Sequence, residues 1–323
     1  MSAATRLEIF APDGVPEVVA GDDLVALALA AAELADGDVL VVTSKIVSKA
    51  EGRLRRGSRE EALAGETVRV VARRGETAIV RNRLGLTMAA AGIDNSNVPL
   101  GQIVLLPEDP DGSARTIREG IHEHGGANVA VVVSDTAGRA WREGQTDVAI
   151  GAAGLVVAED FAGRTDAHGN ELAVTLPAVA DELAGAAELA TGKLGGRPFS
   201  VVRGRADLVL PAGEHGPGAA SLVRPDGADL FGYGAREAVL RALRAHDDDR
   251  RPFGAPAPAT ELAAAIREIV GLAPSHTGAA DGALVVTYPR GTSRALRALV
   301  FAHGWTMNAT DHPHEARLRP ADV

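Results

Sequence analysis

Cysteine is absent from the 323 residues, which excludes disulfide frameworks, thiolate zinc sites, iron–sulfur ligation and cysteine nucleophiles at once. That absence fits a reducing cytoplasm. No window approaches the roughly 18–20 uninterrupted apolar residues of a spanning helix. Met1–Ala11 lacks a basic segment followed by an apolar stretch, so neither a membrane partner nor secretion is expected. Lysine is scarce: among 33 basic residues only Lys45, Lys49 and Lys193 are lysines. The net charge is −10 and no Lys/Arg-rich run interleaved with aromatics occurs, so no nucleic-acid partner is expected. An anionic ligand must then be held by local cations. In an arginine-dominated chain each lysine is a candidate for a task that needs a compact, flexible ammonium. Familiar nucleotide signatures are missing too. Gly192-Lys193 belongs to no GxxxxGK[ST] motif, because Ala187 and Leu194 stand at the required glycine and hydroxyl positions, no GxGxxG follows a strand, and the kinase set does not occur.

What is present, 46% hydrophobic and 24% charged residues, suits one large or two modest domains with a full core. Apolar periodicity predicts helices over Asp22–Ala35, Ser113–His124, Ala178–Ala190 and Ala235–Ala245. Strands are predicted at Asp38–Thr43, Val68–Val71, Ala78–Val80, Ile103–Leu106, Val129–Ser134 and Phe199–Val202. The two kinds mix without strict alternation, which predicts an α+β fold over a regular doubly wound sheet. Asp247–Pro252 followed by Gly254–Pro258 has the composition of an exposed linker. The expected division is therefore a domain at 1–245, a linker at 246–258 and a small α/β appendage at 259–323, with helices near Glu261–Val270 and Ser293–His303 around a strand Ala283–Tyr288.

Three segments carry chemistry. Val39–Val42 drives a buried strand into Thr43, Ser44, Lys45 and, four residues on, Lys49; the two ammonium groups either decorate a surface turn or clamp phosphate. Met88–Val98 ends an apolar stretch in Asp94, Asn95, Ser96 and Asn97, which reads equally as a turn or as a ligand site. Val129–Val133 delivers Ser134, Asp135 and Thr136, then Gly138, Arg139 and Arg142. Hard oxygen donors beside arginines suit Mg2+ or Mn2+ next to phosphate, while the alternative is a tight turn in which Asp135 caps a helix.

Taken together, Thr43–Lys49, Gly92–Val98, Leu105–Pro110 and Ser134–Thr136 through Asp147 resemble the coenzyme F420:L-glutamate ligase family over roughly residues 10–235. The resemblance implies an α+β fold peculiar to that family, an intertwined homodimer, and a GTP-dependent amide-bond-forming ligase. Its substrates would be coenzyme F420-0 and L-glutamate, joined through an acyl phosphate, with further gamma-linked glutamates as an open extension. Two divalent cations per site, Mg2+ or Mn2+, are implied, with K+ as an additional candidate. Asp94 and Asp135 would ligate one cation and Thr136 would contribute to the second. Val15, Pro16, Glu17, Val18, Ser44, Lys49 and Asn97 would contact GTP, as would Thr191, Gly192, Lys193, Leu194, Gly195, Gly196, Arg197 and Pro198.

Lys193 departs from the pattern, since family members tend to carry an amide there at the second metal and an ammonium has no lone pair to give. Either backbone and water hold that metal, or Lys193 replaces part of its charge at the phosphates. Lys49, Arg139 and Arg142 are the expected cations around the transferred phosphoryl group, the two arginines by inference from their position alone. The polar run Arg164–Leu172 either faces the deazaflavin or glutamate or is a surface turn at Gly169-Asn170. Ala264–Thr277 faintly resembles the start of a nitroreductase-like domain, but the remainder is too short for a flavin cleft, so no FMN is expected. The alternative to a ligase is a GTP-binding regulatory module with decayed catalysis.

Overall fold

In the computed structural model, which describes residues 6–225, 227–276 and 282–322, the Val-rich runs become the middle of a mixed sheet. The chain begins β1 (Glu8–Phe10), α1 (Leu24–Ala31), β2 (Val39–Thr43), α2 (Ser44–Ala50), β3 (Leu54–Arg56), α3 (Arg59–Glu66), β4 (Thr67–Arg74), β5 (Thr77–Asn82) and β6 (Thr87–Ala89). It continues through β7 (Gln102–Val104), α4 (Pro110–Gly125), β8 (Ala130–Gly138), β9 (Gln145–Ala153), a small hairpin of β10 (Arg164–Thr165) and β11 (Glu171–Leu172), α5 (Val179–Thr191) and β12 (Phe199–Arg203). The sheet order is β1-β12-β2-β8-β9, with β2 and β8 parallel and the other pairings antiparallel.

Strand side chains alternate between faces, so an unbroken apolar run means that both faces are covered. Leu40, Val42, Val131 and Val133 join one core with Leu24, Val25 and Ala28 of α1 and Ala114, Ile117 and Ile121 of α4. Val39, Val41, Ala130 and Val132 join a second core with Val179, Ala180, Leu183, Ala184 and Ala187 of α5. Each fully buried valine or isoleucine contributes roughly 1.5–3 kcal/mol. Asp23 caps α1 by accepting from the Val25 and Ala26 N–H groups. Asp109 caps α4, Pro110 opens it, and Gly126 ends it in the left-handed region.

A smaller core of Ala78, Val80, Ala91, Ile93, Ile103 and Leu105 fills the β3–β7 and β4-β5-β6 ladders. It fixes the 91–105 region by a two-way backbone pairing between Asp94 and Val104, at 3.0 and 2.8 Å.

The chain divides into two compact units, Met1–Val70 with Gly75–Val223, and Val71–Arg74 with Arg224–Val323. The second comprises α6 (Ala235–Arg244), α7 (Ala259–Val270), β13 (Ser275–His276), β14 (Leu284–Thr287), α8 (Ser293–Ala302), β15 (Trp305–Ala309) and β16 (Glu315–Pro320). Its antiparallel sheet runs β13-β14-β16-β15, and Leu262, Ile266, Leu296 and Val300 of its helices pack on Leu284, Val286, Ala316 and Leu318.

The 246–258 stretch, linker-like in composition, is built into this unit as two short 3-10 turns, Asp247–Asp249 and Arg251–Phe253. Asp249 pairs with Arg241, and Arg250 donates to the Trp305 carbonyl at 3.0 Å while lying over the Phe301 ring. The contact boundary accordingly falls at Val223/Arg224, ahead of α6. Thr277 of the nitroreductase-like run and Met1–Thr5 lie outside the described residues. Among the described residues no helix is long and apolar enough to cross a membrane.

Candidate functional site

The parallel pair β2–β8 sets the site. Its register matches Thr43 with Ser134, so the residues that follow, Ser44 opening α2 and Asp135 continuing along β8 opposite Val148, come side by side. Ser44 Oγ donates to Asp135 Oδ1 at 2.8 Å. Polar side chains delivered together at the carboxyl ends of parallel strands are where open sheets place ligands.

One turn of α2 separates Lys45 from Lys49, which puts both ammonium groups on the same helix face. Lys45 reaches Asp94 Oδ2 and Ser96 Oγ, each at 2.7 Å. Lys49, 8% exposed, is paired with Glu17 and donates to the Asn97 carbonyl at 3.0 Å. Asn97 aims that carbonyl by adopting a left-handed φ of 52°, a conformation that asparagine tolerates better than most residues.

On the other side, β8 and β9 pair with an irregularity at Val133/Ser134 that brings Thr136 opposite Asp147. Thr136 Oγ1 donates to Asp147 Oδ1 at 2.7 Å and Ser134 Oγ to Asp147 Oδ2 at 3.2 Å. Lys193, in the loop after α5, donates to Thr136 Oγ1 at 2.9 Å and to Glu188 Oε1 at 2.6 Å. Arg197 of the same loop holds Asp13 at 2.6 Å, and the Pro198 carbonyl accepts from the Thr43 N–H at 3.0 Å, tying the loop to β2.

These groups enclose a cleft of about 1130 Å³. Its lining includes Glu17, Lys49, Asp94, Asn97, Asp135, Thr136 and, from the 191–198 loop, Thr191, Gly192, Lys193, Leu194, Gly196, Arg197 and Pro198. Lys45, Arg59, Ser96, Ser134, Asp147 and Glu188 line it as well. Several residues singled out in the sequence lie elsewhere. Val18 is buried and Val15 packs against the same core, one on each side of Pro16. Ser44 acts from beneath through Asp135, and Gly195 sits against the Thr191 carbonyl within the loop.

Arg139 and Arg142 lie in the exposed turn between β8 and β9, where Arg139 donates to the Glu143 carbonyl at 2.7 Å. The turn carries them past the strand ends, and neither lines the cleft. Arg164–Leu172 forms an exposed hairpin closed on itself through Asp166, which accepts from the His168 and Asn170 N–H groups.

The two strand-end carboxylates differ in electrostatics. Burial pushes the Asp135 carboxyl up to about 7, and the charges of Asp147 and Asp94 add to the effect against the Ser44 hydrogen bond. Burial acts on Asp94 in the same direction, but the Lys45 ammonium and the Ser96 N–H and hydroxyl outweigh it and hold the group at about 2. For Lys193, burial is outweighed by Glu188 and Asp147, which keep its ammonium above the ordinary value.

A half-buried carboxyl beside a second carboxylate offers hard oxygen donors of the kind divalent cations take. Among the described residues no group of three or more acidic or histidine side chains is arranged as a metal cage. Two carboxylates suffice for Mg2+-like ions, which commonly take one or two from protein and the remainder from water and phosphate. The donors of Asp94 and Asp135 fit such a cation. Lys45 already holds Asp94, but Asp135 makes no ion pair among the described residues, whereas Thr136, Asp147 and Glu188 are all met by the Lys193 ammonium.

Asp147, Glu188 and Arg59 line the cleft without a role read from sequence. Asp147 was visible only as the end of a motif, and the alternation within Gln145–Ile150 is the signal that could have placed it on a strand.

Residues 14–62 and 58–204 match the model of a family described as F420-0:gamma-glutamyl ligase. The chain is 41% identical over 258 residues to the coenzyme F420:L-glutamate ligase of Haloarcula marismortui, covering 72% of this chain and 98% of that protein. It is 41% identical over 219 residues to the protein of that name from Archaeoglobus fulgidus, covering 62% and 88%. With the one from Halorubrum lacusprofundi it shares 43% over 223 residues, covering 61% and 87%.

Proposed function

Because the chain belongs to the F420-0:gamma-glutamyl ligase family, we propose that its cleft joins a carboxylate of coenzyme F420-0 to the amine of L-glutamate with consumption of GTP. The observation that carries this reading is the pair of carboxylates, the half-buried Asp135 and Asp94, on a cleft whose walls bear Lys45, Lys49 and Lys193. A carboxylate is a poor electrophile. Its oxygen attacks the terminal phosphorus of GTP, GDP leaves, and an acyl phosphate forms; the glutamate nitrogen then attacks the acyl carbon, phosphate departs, and the amine loses a proton.

Such transfers depend on positioning and charge neutralisation more than on covalent help from the protein. Asp94 and Asp135 would hold a divalent cation, Mg2+ or Mn2+, which would supply neutralising charge for the phosphate groups. Ser44 orients Asp135 for that task. Lys49 exchanges its exposed partner Glu17, 74% accessible, for phosphate while the Asn97 carbonyl keeps the ammonium in place. The 191–198 loop, pinned to β2 at Pro198, borders the nucleotide. The cleft exceeds the ~300–1,000 Å³ of single-ligand pockets, which supports a nucleotide and a second substrate side by side. A homodimer belongs to the same reading and is checked by solution mass.

The test is GDP release and product mass with GTP, Mn2+, F420-0 and L-glutamate. GDP release should require both acceptor substrates, with a product heavier by a glutamyl unit, and Asp135→Ala should abolish both signals. GDP release indifferent to both substrates overturns the ligase in favour of a regulatory GTP-binding module.

A further inference from the structure

Thr136 and Asp147 face each other across the β8–β9 pairing, joined hydroxyl to carboxylate at 2.7 Å. Asp147 is 7% exposed and its second oxygen accepts from Ser134, so its charge is fixed by the fold rather than spread into water. Glu188 reaches the same place from the last turn of α5. Three oxygens from three elements therefore meet at one point, a donor set that by chemistry suits a hard divalent ion.

The fold puts a nitrogen there. Lys193 Nζ stands 2.6 Å from Glu188 Oε1, 2.9 Å from Thr136 Oγ1 and 3.6 Å from Asp147 Oδ1. An ammonium has three donors and no lone pair, so it satisfies these oxygens in the way a metal would while refusing to share them with one. A divalent ion placed on Thr136 and Asp147 would stand next to this positive charge. The side chain itself is 59% exposed and faces the cleft, so its longest contact, the one to Asp147, is the one an anion in the cleft can replace.

We infer that Lys193 is the second cation of this cleft, supplied by the chain itself, and that the site takes a single divalent ion, at Asp94 and Asp135. The inference rests on the proposed function for the first ion and for the nucleotide. It assigns to Lys193 contact with a phosphate group, and to Ser134, Asp147 and Glu188 the positioning of that ammonium.

Native mass spectrometry of the full chain with GTP and Mn2+, without F420-0 or L-glutamate, counts ions per bound nucleotide. The wild type should carry one Mn2+ per GTP. Lys193→Gln, which replaces the ammonium with an amide oxygen at an exposed position, should carry two, whereas Lys193→Arg should remain at one. Two ions in the wild type overturn this inference and leave the ligase reading standing. A Lys193→Gln protein that stays at one overturns it as well, since the lysine is then not what excludes the second ion. Absence of both Mn2+ and GTP from the wild type overturns the reading of the cleft together with the inference.

Discussion

Ser44 and Asp135 sit 91 residues apart in the chain and 2.8 Å apart in space, at matched positions just beyond a parallel strand pair. Replacing Ser44 by alanine removes its side-chain hydrogen bond to Asp135. The Ser44→Ala protein should lose about 1 kcal/mol in urea unfolding, the usual net worth of such a bond, and should bind Mn2+ more weakly in a titration with GTP. Unchanged metal affinity would show that Asp135 needs no orienting group.

The Asp135 carboxyl gives the metal-free protein a characteristic pH response. Its folded-state value of about 7 lies above the ordinary 3.8, so between these limits the folded chain holds a proton that the unfolded chain has released. Stability contributed by this group is full below about pH 4 and declines as pH rises through 7. Asp94, held at about 2, acts in the opposite sense, and its contribution is present above pH 4 and lost as pH falls toward 2. With EDTA present, urea midpoints at pH 5 and pH 7.5 should differ less in Asp135→Asn than in the wild type. An identical pH difference in both proteins would contradict the buried-carboxyl assignment.

Arg118 is 3% exposed and donates to the carbonyls of Val129, Glu214, Leu210 and Pro211 and to Asn128 Oδ1, all between 2.6 and 3.0 Å. It joins α4 to the strand before the site and to the 210–214 segment. Arg118→Met removes all of these hydrogen bonds, among them the one to the buried Val129 carbonyl, at about 0.5–1.5 kcal/mol each. A total loss of at least ~3 kcal/mol is expected by chemical denaturation.

Gly151 lies where β9 passes under the start of α4, and a Cβ there would stand 2.4 Å from the Pro110 carbonyl carbon and oxygen. Backbone cannot swing aside as a side chain can. Gly151→Ala should therefore cost roughly 1–3 kcal/mol. It should also weaken the bond from the Ala152 N–H to Asp111 Oδ1, now 2.7 Å, seen as faster amide exchange at Ala152.

The central strands were legible because valine runs such as Val39–Val42 and Val129–Val133 report burial on two faces directly. Lys49, Asp94, Asn97, Asp135 and the 191–198 loop were legible through their motifs, and the fold gathers them on one cleft. Strand β9 was not, since Ala149, Gly151, Ala152 and Ala153 are small for contact with the neighbouring helices and carry little β signal. The predicted helix at Asp22–Ala35 ends early, at Ala31, because Asp38 captures the Ala35 N–H at 2.8 Å and folds the alanine-rich tail into a turn. Alanine favours helix without marking where it stops. The acidic and proline-rich 246–258 stretch reads as linker by composition, and the partners that order it, Arg241, Phe301 and Trp305, are invisible to a local window.

Since β2 and β8 advance in step, the placement of Ser44 beside Asp135 is inherited from main-chain pairing rather than from the side chains themselves. Identities at the tips can drift and still point into the cleft. A single inserted or deleted residue upstream in either strand would turn serine and aspartate to opposite faces of the sheet, so in this lineage the spacing, more than any one letter, is what must be kept.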